Sequence, residues 1–310
     1  MAKADYQLII LGGGPGGLTA GLYAARDRLK ALLIEKGVLG GQVLVTDWID
    51  NYPGFPDGLS GFDLVEKMAA QAARFNLETK YGEVTSLELS EETKKLILEN
   101  GETLTCQSLI IATGARPNKL GVAGEEELTG KGVSYCATCD GPFYRDQEII
   151  VVGGGDTAVQ EADFLTKFAS KVTVVHRRDE LRATKILQEK AFANERLEFL
   201  WNSQVQEIKG ENGVEKVVLR DNNGNISEMA VTGVFVLIGT IPNNEILPLD
   251  QLGGDEYGFI LTDQEMRTKI PGVMAVGDIR SKAVRQVVNA AGEGAVAAIA
   301  AEHYLGGLKE

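Results

Sequence analysis

The chain has 310 residues, enough for two domains, with 44% apolar and 24% charged residues, an ordinary balance for a globular protein. A net charge of -13 argues against nucleic acid or another polyanion as partner, because gripping phosphate backbones takes a basic surface. No stretch is long and apolar enough to span a bilayer and no basic n-region opens the chain, so a membrane role is not expected and a cytoplasmic location is the default.

In chain order, the apolar run Tyr6–Leu11 ends in Gly12-Gly-Gly-Pro-Gly-Gly17. Residues 18–28 then read as helix and Ala31–Glu35 as a second strand, which makes a strand–glycine turn–helix–strand unit. Residues 109–114 read as a buried strand closed by Gly114, with Pro117 soon after. The first pattern recurs 141 residues on: Glu148–Val152 as strand, Gly153-Gly-Gly-Asp-Thr-Ala158 as turn, 159–168 as helix, 171–176 as strand. Residues 234–240 and Pro242 repeat the strand-then-proline signal, and the two such points mark where the chain leaves one domain and re-enters it. The last part, 272–294, returns to strand, Gly277-Asp278 and an alanine-rich helix. The expected fold is α/β with two Rossmann-like domains, one discontinuous.

Gly12-x-Gly14-x-x-Gly17 directly follows a strand and opens a helix, as the dinucleotide fingerprint requires. The first glycine permits the turn, the second lets backbone approach a pyrophosphate, and the third lets helix pack on strand. Glu35, 18 residues after Gly17, can accept from ribose hydroxyls and would repel a 2′-phosphate, so this turn suits FAD or NAD(H). A plain tight turn with a solvated Glu35 is the alternative. Gly153-x-Gly155-x-x-Ala158 is a second fingerprint with alanine in third place. His176-Arg177-Arg178 replaces the acid there, and Arg182 stands one helical turn beyond Arg178. Guanidinium groups bind a 2′-phosphate in bidentate fashion, which selects NADPH; the alternative is a basic surface loop.

Cys136-Ala-Thr-Cys139-Asp140 is the third element. One cysteine of such a pair can hold a thiolate while the other closes a disulfide, and Asp140 is placed to deliver a proton to a leaving thiolate. Zinc is the main rival, but only Cys106, His176 and His303 are left to complete four ligands, and no metal is expected. Two packed structural cysteines are the other rival. Cys106 itself reads as buried filler.

Taken together the chain resembles the low-molecular-weight, bacterial-type thioredoxin reductase family over its whole length. The matching residues are Gly12 to Gly17, Gly40-Gly41-Gln42, Asn51-Tyr-Pro-Gly54, Ala112-Thr113-Gly114, Cys136 to Asp140, Gly153 to Ala158, His176 to Arg178, Gly277-Asp278 and Arg285-Gln286. The resemblance implies three-layer ββα domains: an FAD domain from 1–116 and 243–310, and an NADPH domain from 117–242 that carries the cysteines. It implies FAD contacts at Pro15, Lys36, Gly41, Gln42, Asn51, Ala112, Thr113, Gly114, Gly277, Asp278, Arg285, Gln286 and Val287. It implies NADPH contacts at Gly154, Asp156, Thr157, Ile238 and Gly239. Electrons would pass from NADPH through FAD to the Cys136–Cys139 disulfide, with Cys139 on the flavin side and Cys136 exchanging with thioredoxin, in a homodimer. Thr240 stands where members often carry histidine, and Gly141-Pro142-Phe143 stands where many have two aromatics after Asp-Gly, in a segment that receives the protein substrate. The alternatives are a reductase of another disulfide protein, or of a ferredoxin-type carrier without disulfide chemistry. Since pair and NADPH belong to one domain and the flavin to the other, rotation at 114–117 and 241–242 is expected to let them take turns.

Overall fold

The computed structural model describes residues 4–46 and 48–308. The chain divides into two compact units, Met1–Arg116 with Ile241–Glu310, and Pro117–Thr240. The two crossings are the short strands Ala115–Pro117 and Thr240–Pro242, which pair with each other.

The first unit is built on five parallel strands in the order Glu78–Tyr81, Ala31–Glu35, Tyr6–Leu11, Thr103–Ile111, Val273–Ala275. The buried stretches of the central strands, 8–11, 31–34 and 109–111, are apolar throughout because both faces are covered there. Leu8, Ile10 and Leu33 point to one side, where they meet Leu18, Ala20 and Ala24 of the helix Pro15–Arg26 and Ala297 and Ala301 of the helix Val287–Gly307. Ile9, Leu11, Leu32 and Ile34 point to the other, against Val84, Leu96 and Leu98 of an antiparallel hairpin. That hairpin is the third layer, and it joins the sheet because Thr103–Ile111 changes partner along its length. Its first half pairs antiparallel with Lys94–Leu98, and its second half runs parallel to Val273–Ala275.

The second unit repeats the plan. Five parallel strands run in the order Leu197–Leu200, Lys171–Val175, Glu148–Val152, Gly233–Val236, Val133–Ser134. Ile149, Val151 and Phe235 pack on Ala158, Val159, Ala162 and Leu165 of the helix Asp156–Leu165. Ile150, Val152, Val234 and Val236 pack on Val205, Ile208, Val217 and Leu219 of the antiparallel strands Ser203–Lys209 and Lys216–Asp221. This is the α/β, two-domain Rossmann-like class that the two glycine turns foretold.

Both glycine-turn helices start three residues earlier than apolar periodicity suggests, at Pro15 and Asp156 instead of 18 and 159. Glycine is a poor helix former, but Pro15 has its φ preset for a first helical position, and close packing holds the glycines in place. Among the described residues no helix is long and apolar enough to cross a membrane.

Candidate functional site

In each unit the parallel strands deliver their carboxyl ends to one edge, where loops can surround a ligand. At that edge of the first unit, Gly12 has φ +110°, a conformation that L side chains avoid, and a Cβ there would lie 2.3 Å from the carbonyl oxygen of Ala112. A Cβ on Gly17 would collide with the carbonyl oxygen of Gly12 at 1.9 Å. Gly14, by contrast, has open space where its Cβ would be, and it caps the helix without any side-chain acceptor. Backbone N–H groups at that helix start are therefore available to an anion. Glu35 closes the turn from the side: its carboxylate accepts from Gly13 N at 2.7 Å and from Gly37 N at 2.8 Å. Gly40 N donates to Gly13 O at 2.8 Å, and Gly41 stands against Gly14. Thr113 Oγ1 donates to Asn243 O, Asn243 Nδ2 to Thr113 O, and Asn243 N to Gly114 O, so the strand end 112–114 is pinned. Lys36 does not join the turn; it is exposed and reaches Glu83 at 3.9 Å. Gln42 lies exposed on the short helix Gly41–Val45.

The remaining predicted residues of this unit sit around Gly277 and the start of the helix Val287–Gly307. Asn51 Nδ2 donates to Gln286 Oε1 at 3.1 Å. Asp278 Oδ1 is buried without a hydrogen-bond partner, Lys282 Nζ standing off at 3.4 Å, and burial pushes its carboxyl above the usual carboxylate range against the pull of Lys282. Arg285 lies over the Phe259 ring at 4.3 Å and leaves Nε without a partner. An acceptor and a donor held unsatisfied at one sheet edge suit a polar ligand. Sequence reasoning missed what fixes them. Glu293 accepts from Gly277 N at 2.7 Å and pairs with Arg280 at 2.7 Å and Lys282 at 3.3 Å, all three side chains being nearly buried. The signal was a lone carboxylate in the run Ala290-Ala-Gly-Glu293-Gly294.

At the second turn a Cβ on Gly153 would lie 2.5 Å from the Leu237 carbonyl oxygen, and Gly155 has open space and an uncapped helix start. Asp156 is turned to the loop instead, accepting from Thr184 N at 2.6 Å; Thr157 lies exposed beside it. His176 takes the place that Glu35 holds in the first unit. Its ring would meet a Cβ on Gly154 at 2.2 Å, it is buried, and Nε2 has no partner. Arg177, Arg178 and Arg182 are exposed, with no ion pair among the described residues. The spacing of Arg182 does not come from a helix, since regular helix begins only at Lys185. Backbone bonds from Arg182 N and Ala183 N to Gly154 O, at 2.8 and 3.2 Å, fold that segment back onto the turn. Gly239, at φ +111°, accepts from Asn118 N at 3.0 Å, and Ile238 O from Asn118 Nδ2 at 3.4 Å.

The cysteines are brought together in the same unit. Cys136 and Cys139 form a disulfide, S–S 2.13 Å, at the start of the one-turn helix Ala137–Asp140, and both are partly open to solvent. Sulfurs joined in a disulfide offer no thiolate to a metal. Cys136 N donates to Ser134 Oγ at 3.1 Å, and Cys139 N lies 3.2 Å from Cys136 Sγ. Burial and the nearby charge of Asp140 push the Tyr144 hydroxyl up to about 12. Ala137 N donates to Glu161 Oε2 at 3.3 Å, a neighbour sequence reasoning did not identify. Cys106 is wholly buried in Thr103–Ile111, and burial pushes its thiol up to about 12, so it is inert at neutral pH.

Residues 6–294 match the family described as pyridine nucleotide-disulphide oxidoreductase. The chain is 48% identical over 309 residues to a thioredoxin reductase of Listeria monocytogenes, covering 98% of this chain and 95% of that protein. It is 46% identical to one from Bacillus subtilis over 308 residues, 98% and 96% of the two chains. The crystal structure of thioredoxin reductase from Streptococcus pyogenes superposes with a TM-score of 0.94 at 47% identity, covering 97% of this chain and 98% of that one.

Proposed function

The chain belongs to the pyridine nucleotide-disulphide oxidoreductase family, and we propose that it is a thioredoxin reductase that moves electrons from NADPH through FAD to Cys136–Cys139 and on to the thioredoxin disulfide. The observation that carries this reading is a solvent-reachable disulfide in the same unit as a glycine turn flanked by three exposed arginines.

The first unit is the proposed FAD domain. Gly14 and the uncapped helix start would take the pyrophosphate, Glu35 a ribose, and the unsatisfied Asp278 and Arg285 the polar part of the remaining chain. When bound, FAD supplies the two-electron relay between a pyridine nucleotide and a disulfide. Residues 117–242 are the proposed NADPH domain, with Gly155 at the pyrophosphate and Arg177, Arg178 and Arg182 at the 2′-phosphate.

The chain's own chemistry is thiol exchange. In the reduced pair, the Cys136 thiolate attacks the substrate disulfide, forming a mixed disulfide and expelling one substrate thiolate. Cys139 then attacks Cys136 Sγ, which restores the Cys136–Cys139 bond and releases the second substrate thiolate. Asp140 gives a proton to a leaving thiolate and regains it from the dithiol formed at the next reduction. Because pair and NADPH site share one domain and the flavin belongs to the other, the two take turns at the flavin by rotation at the two crossings. A homodimer and a cytoplasmic setting complete the proposal.

The test is NADPH oxidation by the flavin-loaded protein with thioredoxin present and absent. Strong stimulation is expected, and Cys139→Ser should cut it by about a thousandfold or more. Stimulation by another disulfide protein but not thioredoxin overturns the substrate. Full turnover by Cys139→Ser overturns the disulfide route.

A further inference from the structure

Glu161 has no part in the electron route described so far. It lies on Asp156–Leu165, the helix that leaves the second glycine turn, and that helix packs on the one-turn helix of the cysteine pair. Its Oε2 accepts from the N–H of Ala137, a wholly buried residue directly after Cys136. One carboxyl thus holds the backbone of the loop that spaces the two sulfurs.

Nothing basic offsets it. Among the described residues Glu161 has no ion pair; burial pushes its carboxyl above the usual carboxylate range, and only the Ala137 N–H opposes that. The cysteine segment presents further acids, Asp140 and Tyr144, and no basic residue before Arg145. On the other elements packed against this helix, Lys171 is engaged by Glu198 and Lys190 by Asp163, leaving Glu148, Lys185 and Glu189, none in an ion pair among the described residues.

We propose that Glu161 is a positioning residue that sets the redox equilibrium of the Cys136–Cys139 pair, holding its loop through Ala137 N–H and opposing, with its negative charge, the thiolate that appears on reduction. The proposal rests on the redox role given above to the pair. Reduction breaks the S–S bond, takes up two electrons and leaves either two thiols or one thiol and one thiolate. A nearby carboxylate disfavours the second form. Destabilising the reduced state makes the pair a stronger electron donor, which suits a group that must hand electrons to another disulfide.

The experiment uses the flavin-loaded protein equilibrated in dithiothreitol redox buffers across a pH series, with the reduced fraction read by thiol labelling and mass. It needs neither NADPH nor thioredoxin, so its failure leaves the proposed electron route standing. Glu161→Gln keeps an oxygen for Ala137 N–H and removes the charge. The expected result is a shift toward the dithiol of roughly three- to tenfold, about 15–30 mV. That shift should disappear at acid pH, where neither carboxyl nor thiol is ionised. The pKa that governs alkylation of Cys136 by iodoacetamide should fall by about half to one unit. Glu161→Gln titrating like the parent at every pH overturns the proposal, and so does a shift confined to Glu161→Leu, which would leave only a structural role. If Glu161→Gln does not fold, Glu161→Asp, which keeps the charge, decides: an equilibrium within about twofold of the parent supports the proposal, and a shift toward the dithiol of about tenfold overturns it.

Discussion

Each unit makes its glycine turn on the same plan but builds it from different atoms. In both, a Cβ on the first glycine would strike a carbonyl oxygen beyond the neighbouring strand, Ala112 at 2.3 Å or Leu237 at 2.5 Å. In both, the next-but-one glycine faces open space at an uncapped helix start. The differences lie at two other places. Position 17 has no room for a methyl, whereas its counterpart is Ala158; and the second strand ends in a carboxylate in one unit and in a buried imidazole followed by arginines in the other. On the proposed function, the geometry common to both turns would cradle a pyrophosphate, and the strand end would set which nucleotide each cradle takes.

The sharpest way to break the likeness is to exchange the third positions. In Gly17→Ala the new methyl meets the Gly12 carbonyl oxygen at 1.9 Å, a backbone atom that yields only if the turn opens. Overpacking of this kind costs about 1–3 kcal/mol, and here it falls on the proposed pyrophosphate contact. Loss of bound flavin in the absorption spectrum, with a lowered thermal midpoint, is expected. The reverse change, Ala158→Gly, removes a buried methyl beside Gly153 and should cost only about 1 kcal/mol of helix stability while NADPH binding persists. Equal losses from the two changes would mean that the turns are not built differently after all.

A middle-sized effect tests the strand ends. Arg178→Ala and Arg182→Ala remove exposed guanidinium groups that make no ion pair among the described residues, so stability should hardly change. If they grip a 2′-phosphate, each should raise the KM for NADPH about ten- to a hundredfold, since hydrogen bonds to charged groups are worth roughly 1.5–3 kcal/mol. The KM for NADH should move little. Equal effects on both nucleotides would break the assignment.

The parts legible in the sequence were those where chemistry and local geometry coincide. Gly12 and Gly17 carry the turn because only glycine meets the φ of the first and the close approaches of both, and Cys136 and Cys139 are near in sequence, so their disulfide needs no long-range information. The antiparallel layers were not legible as strands. Val84–Leu89 and Ser203–Lys209 are half exposed, pair antiparallel with the strands that follow them, and are held by packing of Val84, Val205 and Ile208 on the parallel sheets, which no local pattern announces. Nor was the network under Gly277, because Glu293 reaches it from within an alanine-rich helix. Arg182 was found for the wrong local reason: two backbone bonds to Gly154 O bring it to the turn, not a helical turn of spacing.

The smallest effect concerns the imidazole that replaces the carboxylate. His176 is buried against Gly154 with Nε2 unpartnered, and burial, reinforced by the charges of Arg182 and Arg178, pulls its pKa below the ordinary histidine value. The folded state therefore binds its proton less readily than the unfolded chain does. The unfolded chain takes up the proton first as pH falls, so stability is complete above the unfolded value of about 6.5 and declines below it. The decline ends once the folded form also protonates, and its slope cannot exceed about 1.4 kcal/mol per pH unit. His176→Phe keeps a flat ring over Gly154 and cannot titrate. Calorimetric unfolding of parent and variant across this window should show the parent losing more stability on acidification. The difference between the two isolates His176, because every other ionisable group is common to both. Parallel curves would mean that the imidazole acts in the second turn only through its shape, as a spacer beneath the arginines.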